Sequence, residues 1–273
     1  MTKNGNLEKD RRMRILFIGD IVGRPGRDII TEDLSRIKRK EKIDVVIANA
    51  ENSASGSGVT PRITQELLDA GVNILTSGDH IWKRREIYEF LESTDILLRP
   101  LNYPDSVPGR GSTVVDIPGV GKVGVINIVG RVFMDAVDCP FQVVRSEVKR
   151  LQNETDVIIV DVHAEATSEK IAMGWYLDGE VSAVIGTHTH IQTADERILP
   201  EGTAYITDCG MTGPYDSVIG RKKEPVLTRF LTHLPARFDV AEGDVQLHGV
   251  IVEINSETGK AIEIKRIQHK EGK

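Results

Sequence analysis

Met13–Gly19 reads MRILFIG and Ile43–Ala50 reads IDVVIANA, two apolar runs of strand length. Between them, Arg27–Lys40 carries Ile30, Leu34 and Ile37 at helical spacing. Thr60-Pro61 then supplies an N-cap and an N1 proline, and Gly71 a C′ stop, for a second helix. Val72–Thr76 is a third strand, followed by a helix around Arg84–Glu92. The order βαβαβ predicts a parallel sheet with right-handed crossovers.

Further along, the pattern changes. Ser112–Ile117 and Lys122–Val129 flank Pro118-Gly119-Val120-Gly121 and read as an antiparallel hairpin. Phe141–Leu151 is helical, Asp156–Val162 (DVIIVDV) a buried strand, Ser168–Leu177 a helix and Val181–Gly186 a strand. Ala204–Thr207 is a short strand and Glu224–Leu234 a helix, and Val245–Ile254 with Ala261–Arg266 closes the chain as a hairpin. Parallel units mixed with hairpins predict an α/β fold of two mixed sheets packed together with helices outside. No linker, repeat or low-complexity stretch divides the chain, so a single domain over 13–270 is expected after a disordered extension over 1–12.

The composition is that of a globular protein: 273 residues, 40% hydrophobic and 28% charged. Disorder, collagen and disulfide scaffolds are thereby excluded. A net charge of −6 gives no broad cationic surface for duplex nucleic acid, although a local basic patch is compatible with it. Cys139 and Cys209 are too few for a disulfide framework and form no CxxC. The first twelve residues contain no apolar core of a secretory signal, and no run of 18 apolar residues suggests a membrane span. The cytoplasm is the expected location, with no membrane partner.

Chemistry collects where strands end. Gly19-Asp20 follows the first, Ala50-Glu51-Asn52 the second and Ser77-Gly78-Asp79-His80 the third. His163-Ala164-Glu165 follows Asp156–Val162, and Thr187-His188-Thr189-His190 follows Val181–Gly186. Each alone has an ordinary explanation, since an acid after a strand is commonly a cap or turn residue. His188 and His190, two apart, would point to one side of an extended segment. Together the five strand ends can converge, because sites in open α/β sheets form outside the carboxyl ends of strands. Carboxylates with imidazoles suit manganese, iron or zinc better than calcium.

At these positions the chain resembles the calcineurin-type metallophosphoesterases. GDIVGRPGR (19–27), ANAENSASGSGVT (48–60), SGDHIW (77–82), LRPLNYP (98–104), GRVFMDAVDCPF (130–141), VDVHAEATSEK (160–170), GTHTHIQTADERILP (186–200) and TDCGMTGPYDSVIG (207–220) resemble one bacterial branch. That branch contains the 2′,3′-cyclic-nucleotide 2′-phosphodiesterase-like proteins, and the likeness runs from Met13 to about Arg266.

The resemblance implies a four-layer α/β/β/α sandwich with two divalent metal ions, iron or manganese ahead of magnesium or zinc. It implies that Asp20 and His190 bind one metal, that Asp79, His163 and His188 bind the other, and that Glu51 bridges them. Asn52 would lie beside the site and His80 would be the general acid. The implied reaction opens small phosphodiesters, 2′,3′-cyclic nucleotides to 3′-nucleotides, by attack of a metal-bridging hydroxide. Family precedent also implies a homo-oligomer.

Two positions depart from the wider pattern. The histidine usual two residues after the first aspartate is replaced by Val22, which leaves the first metal fewer ligands and makes it more exchangeable. Asp79 stands where asparagine is usual, so ligand charge is about −3 rather than about −2 and the loaded site falls from about +2 to about +1. The metals should be held more tightly and phosphate attracted less. A nucleotide-sensing binding protein with the same metal-lined pocket is therefore the alternative to an enzyme. A serine hydrolase is disfavoured because Ile21 occupies the nucleophile's place.

Other features carry less. Gly23–Arg27 reads as an anion-binding loop or a structural turn, and Arg131, Phe133 and Met134 as a substrate wall or a surface lobe. Gly210–Pro214 can line the site through backbone groups. Asp208 and Cys209 read as structural, Arg221-Lys222-Lys223 as solvated surface, and His233, His248 and His269 as ordinary histidines.

Overall fold

A computed structural model of the protein describes residues 12–272. The extension expected over 1–12 lies outside the described residues as far as position 11, whereas Arg12 already belongs to the first strand. In β1 (Arg12–Ile18) side chains alternate between two cores, as strand geometry dictates. Met13, Ile15 and Phe17 enter one, Leu16 and Ile18 the other.

The first sheet joins β1, β2 (Asp20–Ile21), β3 (Val45–Asn49), β4 (Ile74–Thr76), β11 (Met211–Pro214), β12 (Val245–Asn255) and β13 (Ala261–Lys270) in the order β2-β11-β12-β1-β3-β4. β11 and β1 lie along one side of β12 and β13 along the other. The second sheet runs β5 (Ser112–Ile117), β6 (Gly121–Val129), β7 (Ile158–His163), β8 (Ala183–Thr187), β10 (Ala204–Ile206), β9 (Arg197–Ile198).

Phe17, Val45, Ile47 and Ile74 of the first sheet meet Val125, Ile159, Ile185 and Ile206 of the second in a buried apolar middle layer. Leu16, Val46 and Leu75 face α1 (Gly23–Glu41) and α2 (Pro61–Asp69) through Ile30, Leu34 and Leu67. Ile128, Val160 and Val184 face α4 (Pro140–Leu151) and α5 (Thr167–Tyr176) through Val144, Val148 and Met173. This is the expected α/β/β/α sandwich.

α2 begins as its sequence predicts: Thr60 Oγ1 accepts the Ile63 N–H at 3.2 Å and Pro61 occupies the first turn. The third strand is shorter than expected, and the following helix, α3 (Ile87–Ser93), starts after a 3₁₀ turn over Ile81–Lys83. Parallel register aligns the strand ends that matter. Ile18 pairs with Ala48, Asn49 with Thr76, and His163 with Thr187. No helix among the described residues is long and apolar enough to cross a membrane.

His248 on β12 is an ordinary histidine with a pH signature. Its ring lies 4.3 Å from that of Tyr215, Nε2 donates to Gln246 Oε1 at 3.1 Å, and the buried Nδ1 has no partner among the described residues. Burial pulls its pKa down to about 4, with Asp244 opposing. The unfolded chain takes this proton near pH 6.5 and the folded chain only near 4. Stability is thus full above 6.5 and is lost as pH falls toward 4. Urea midpoints at about pH 7.5 and about pH 5 should fall further for the parent than for His248→Gln; equal falls would remove His248 as a cause.

Candidate metal centre

The centre starts from what strands leave at their ends. β3 delivers Glu51 and Asn52, β4 delivers Asp79 and His80, β7 ends in His163, and β8 runs into His188 and His190. Gly78 permits the approach, because a Cβ there would collide with His163 and Glu51. Glu51, Asp79, His163 and His188 each place one ligand atom within 4.8 Å of the others. His163 Nε2 is 3.3 Å from Glu51 Oε2, 3.3 Å from Asp79 Oδ1 and 3.0 Å from His188 Nδ1.

The remaining residues stand alongside. His190 Nε2 is 3.8 Å from Asp20 Oδ1 and 3.2 Å from Asn52 Nδ2, and its Nδ1 donates to the Ile219 carbonyl at 3.1 Å. Asp20 Oδ2 accepts the His188 N–H at 3.1 Å. Asn52 ties the set together: Nδ2 donates to Glu51 Oε1 at 2.8 Å and Oδ1 receives His80 Nδ1 at 2.9 Å. The His80 N–H reaches Glu51 Oε2 at 3.1 Å, while its Nε2 lies 3.7 Å from Asp79 Oδ2. All eight residues named from the sequence therefore meet at one edge of the sandwich.

Their approach differs from the expectation in one respect. His188 and His190 are not on an extended segment; β8 ends at Thr187, and both histidines have left-handed backbones, φ 96° and 65°. Such φ values are costly for a residue with a Cβ and persist where surroundings hold them. Here Asp208 Oδ2 accepts the Thr189 N–H at 3.0 Å and its hydroxyl at 2.7 Å, and is itself paired with the buried Lys170 at 2.8 Å. The turn sends His188 toward His163 and His190 toward Asp20.

Charge in this cluster is mutually adjusted. Burial pushes Asp20 up, although His190 and His163 oppose it. Burial works against Glu51 too, yet His163 and His80 hold it well below the usual carboxylate range. Asp79 is also held low, with burial and Glu51 opposing and His163 winning. Despite burial, the surrounding carboxylates hold the His163 pKa well above its ordinary value. His188, buried beside His163, is pulled down to about 4. Glu51 raises His80 against burial.

The donors fit divalent cations. Asp20 Oδ1 and Asp79 Oδ1 are buried acceptors with no hydrogen-bond partner among the described residues, a cost of about 1–3 kcal/mol each that a cation would relieve. The 3.0 Å between the facing nitrogens of His163 and His188 matches two ligands about 2.1 Å from one ion at a right angle. Three carboxylates and three imidazoles without a thiol suit manganese, iron, magnesium or zinc.

Several supports of the centre carry no motif in the sequence. Asp161 is fully buried between the sheets and accepts from Thr187 Oγ1 at 2.7 Å, Thr76 Oγ1 at 2.5 Å and Asn49 Nδ2 at 3.0 Å. Burial pushes its carboxyl up to about 7, with His163 and these hydroxyls opposing. Its place two residues before His163, on the same strand face, was the available signal. Asp208 is structural as expected, but it serves the His188-Thr189-His190 turn. Glu165 Oε2, at 3.1 Å from His188 Nε2, stands on the outer side.

Gly23–Arg27 forms the opening of a helix rather than a loop. Helix α1 begins at Gly23, whose N–H goes to the Asn52 carbonyl at 2.9 Å, and Arg27 is used by Glu66 and the Ser53 carbonyl. Gly210–Pro214 contains β11, which pairs with β2 and places Asp20. In the 131–134 stretch, Glu169 accepts the Arg131 and Val132 N–H groups, and Phe133 is exposed.

Two mixed sheets within a helical coat, with carboxylates and imidazoles converging at their strand ends, define a protein of the metallophosphoesterase class. The chain belongs to the family described as YmdB-like protein, which matches residues 16–267. It is 49% identical over 255 residues to the 2′,3′-cyclic-nucleotide 2′-phosphodiesterase of Bacillus subtilis (strain 168), covering 93% of this chain and 96% of that protein. A crystal structure of a Thermus thermophilus protein described as hypothetical superposes with a TM-score of 0.88 at 41% identity, over 94% of this chain and 99% of that one. A Mycoplasma pneumoniae structure described as a novel phosphatase gives 0.88 at 37%, over 95% and 94%. The resemblance drawn from the strand-end motifs is thus borne out at the level of family and fold.

Proposed function

We propose that this chain is a metal-dependent phosphoric diester hydrolase that opens 2′,3′-cyclic nucleotides to 3′-nucleotides. The observation that carries the reading is the convergence of Asp20, Glu51, Asp79, His163, His188 and His190 around buried, unpartnered carboxylate oxygens. The name of the B. subtilis relative supports the substrate class. The activity is assigned to a single domain over 13–270, acting in the cytoplasm.

Asp20 and His190 would hold one divalent ion, Asp79, His163 and His188 a second, with Glu51 shared between them and iron or manganese preferred. When bound, such ions neutralise phosphoryl charge and make water a nucleophile near neutral pH. The protein's own groups do the rest. Asn52 Oδ1 accepts the Nδ1–H of His80, which leaves Nε2 of this partly exposed ring, 3.7 Å from Asp79 Oδ2, to carry a proton to the departing alkoxide. Glu51, held ionised, keeps that imidazole's pKa raised, as a general acid requires.

The test is a substrate panel with and without chelator: a generic diester, 2′,3′- and 3′,5′-cyclic nucleotides, and a phosphomonoester. Chelator-sensitive opening of the 2′,3′-cyclic substrate to the 3′-nucleotide is expected. Preference for the monoester would overturn the diesterase reading.

One observation favours the nucleotide-sensing alternative, the carboxylate of Asp79 inside the cluster. Slow hydrolysis together with submicromolar nucleotide affinity would select it. For the same reason Asp79→Asn should raise turnover and weaken metal retention, each by about tenfold, the equivalent of about 1.4 kcal/mol. Retention at least as strong as the parent's, with turnover no higher, would refute the charge argument.

Self-association belongs to the same proposal. Leu227, Phe230 and Leu231 on α6 (Lys223–Thr232), with Leu234 just beyond, recur at helical spacing and are exposed. An apolar stripe of this kind suits a contact between copies. Sedimentation should give a multiple of the chain mass for the parent and the single-chain mass for Phe230→Asp; a monomeric parent would contradict it.

A further inference from the structure

We propose that Asp161 and Thr187 form a buried relay that fixes the His163 tautomer and thereby sets how tightly the centre holds its cation. Thr187 precedes His188 in the chain, but its hydroxyl meets His163 and Asp161 meets that hydroxyl, so both act on the cluster as positioning residues. The inference rests on the metal-centre reading above.

The geometry points one way. Asp161 lies on β7 with its side chain between the sheets, where its partners are the Thr187 hydroxyl on Oδ1 and the Thr76 hydroxyl and Asn49 amide on Oδ2. Those partners come from β8, β4 and β3, so the carboxylate gathers donors from both sheets at one point. Hydrogen-bond donors of this kind stabilise the charge of a buried carboxylate. Register places Thr187 directly beside His163 on the neighbouring strand. Its Oγ1 is 2.7 Å from Asp161 Oδ1 and 2.9 Å from His163 Nδ1.

A hydroxyl has one proton to give. The bond to a carboxylate is the stronger, so the Thr187 proton goes to Asp161 and an Oγ1 lone pair faces His163. His163 Nδ1 must then carry the ring N–H and donate it to Thr187. In the neutral ring that ligates a cation the lone pair is then on Nε2, the atom that faces Glu51, Asp79 and His188. Without the relay the proton can rest on Nε2, bonded to Glu51 or Asp79, and a cation would have to displace it. Outer partners that orient a ligating histidine in this way are typically worth about 10–100-fold in metal affinity.

The experiment compares chelator-stripped wild type, Thr187→Val, Thr187→Ser and Asp161→Asn by calorimetric titration with Mn²⁺ in one mildly alkaline buffer. Circular dichroism checks the fold of each. Valine keeps the shape and removes the hydroxyl; serine keeps the hydroxyl. Thr187→Val and Asp161→Asn should each weaken Mn²⁺ binding about 10–100-fold, and Thr187→Ser should stay within about threefold of wild type. Imidazole ¹⁵N shifts of the Zn²⁺-loaded wild type should show His163 protonated at Nδ1.

Wild-type affinity in Thr187→Val, or a loss in Thr187→Ser as large as in Thr187→Val, overturns the relay. If Thr187→Val does not fold, unchanged binding by Asp161→Asn overturns it and a loss of about 10–100-fold upholds it. A wild-type chain that binds no Mn²⁺ overturns the metal-centre reading itself, and the relay with it.

Discussion

Replacing Glu51 by alanine is expected to strip the chain of bound metal and to lower diester turnover by about a thousandfold or more. Its carboxylate is buried and is used on both oxygens. Oε1 takes the Asn52 amide and Oε2 the His80 N–H, with His163 Nε2 at 3.3 Å. Alanine removes the charge at the centre of the cluster and leaves those donors without their acceptor. Glu51→Gln separates the two effects, since it can keep an oxygen for one donor while losing the charge. Metal analysis with turnover on the same samples decides the matter. Metal content at the parent level and turnover within about tenfold in Glu51→Ala would show that Glu51 is not a shared ligand.

His80→Ala should act differently, lowering turnover by about 10²–10⁴-fold while leaving bound metal unchanged. His80 reaches Glu51 through its backbone N–H, which alanine retains, and through ring Nδ1 at 3.3 Å from Oε1, which alanine removes without touching a metal-ligating group. What disappears is the imidazole whose Nδ1 is anchored on Asn52 and whose Nε2 lies 3.7 Å from Asp79 Oδ2. A general acid matters most for a poor leaving group. The loss should therefore be large for a cyclic nucleotide, whose ribose oxygen departs as an alkoxide, and small for a nitrophenyl diester. Full turnover on the cyclic nucleotide with metals bound would end the assignment.

How much of this was legible beforehand follows from what residue identity can encode. Strand alternation and helical spacing identified the sandwich because burial of apolar faces is written into side-chain type. Asp20, Glu51, Asp79, His163, His188 and His190 were visible because each sits just beyond an apolar run. The two-residue strands β2 and β9 were not, since pairing of so few residues depends on neighbours distant in the chain. Nor was the turn at His188 and His190, because histidine carries no mark of a left-handed backbone. The Asp161–Thr187–His163 chain was hidden for a related reason: it depends on the register of β7 against β8. Lys170 and Asp208, 38 residues apart, are paired only through the fold.

The strand-end cluster is proposed here as a two-cation centre on which diester hydrolysis depends. Its most direct test is titration of the chelator-stripped chain with Mn²⁺, following bound ions per chain and opening of a 2′,3′-cyclic nucleotide in the same samples. Binding should saturate at two ions per chain, and hydrolysis, absent from the stripped chain, should rise with occupancy. Hydrolysis at full rate without metal, or a chain that binds none, would contradict it.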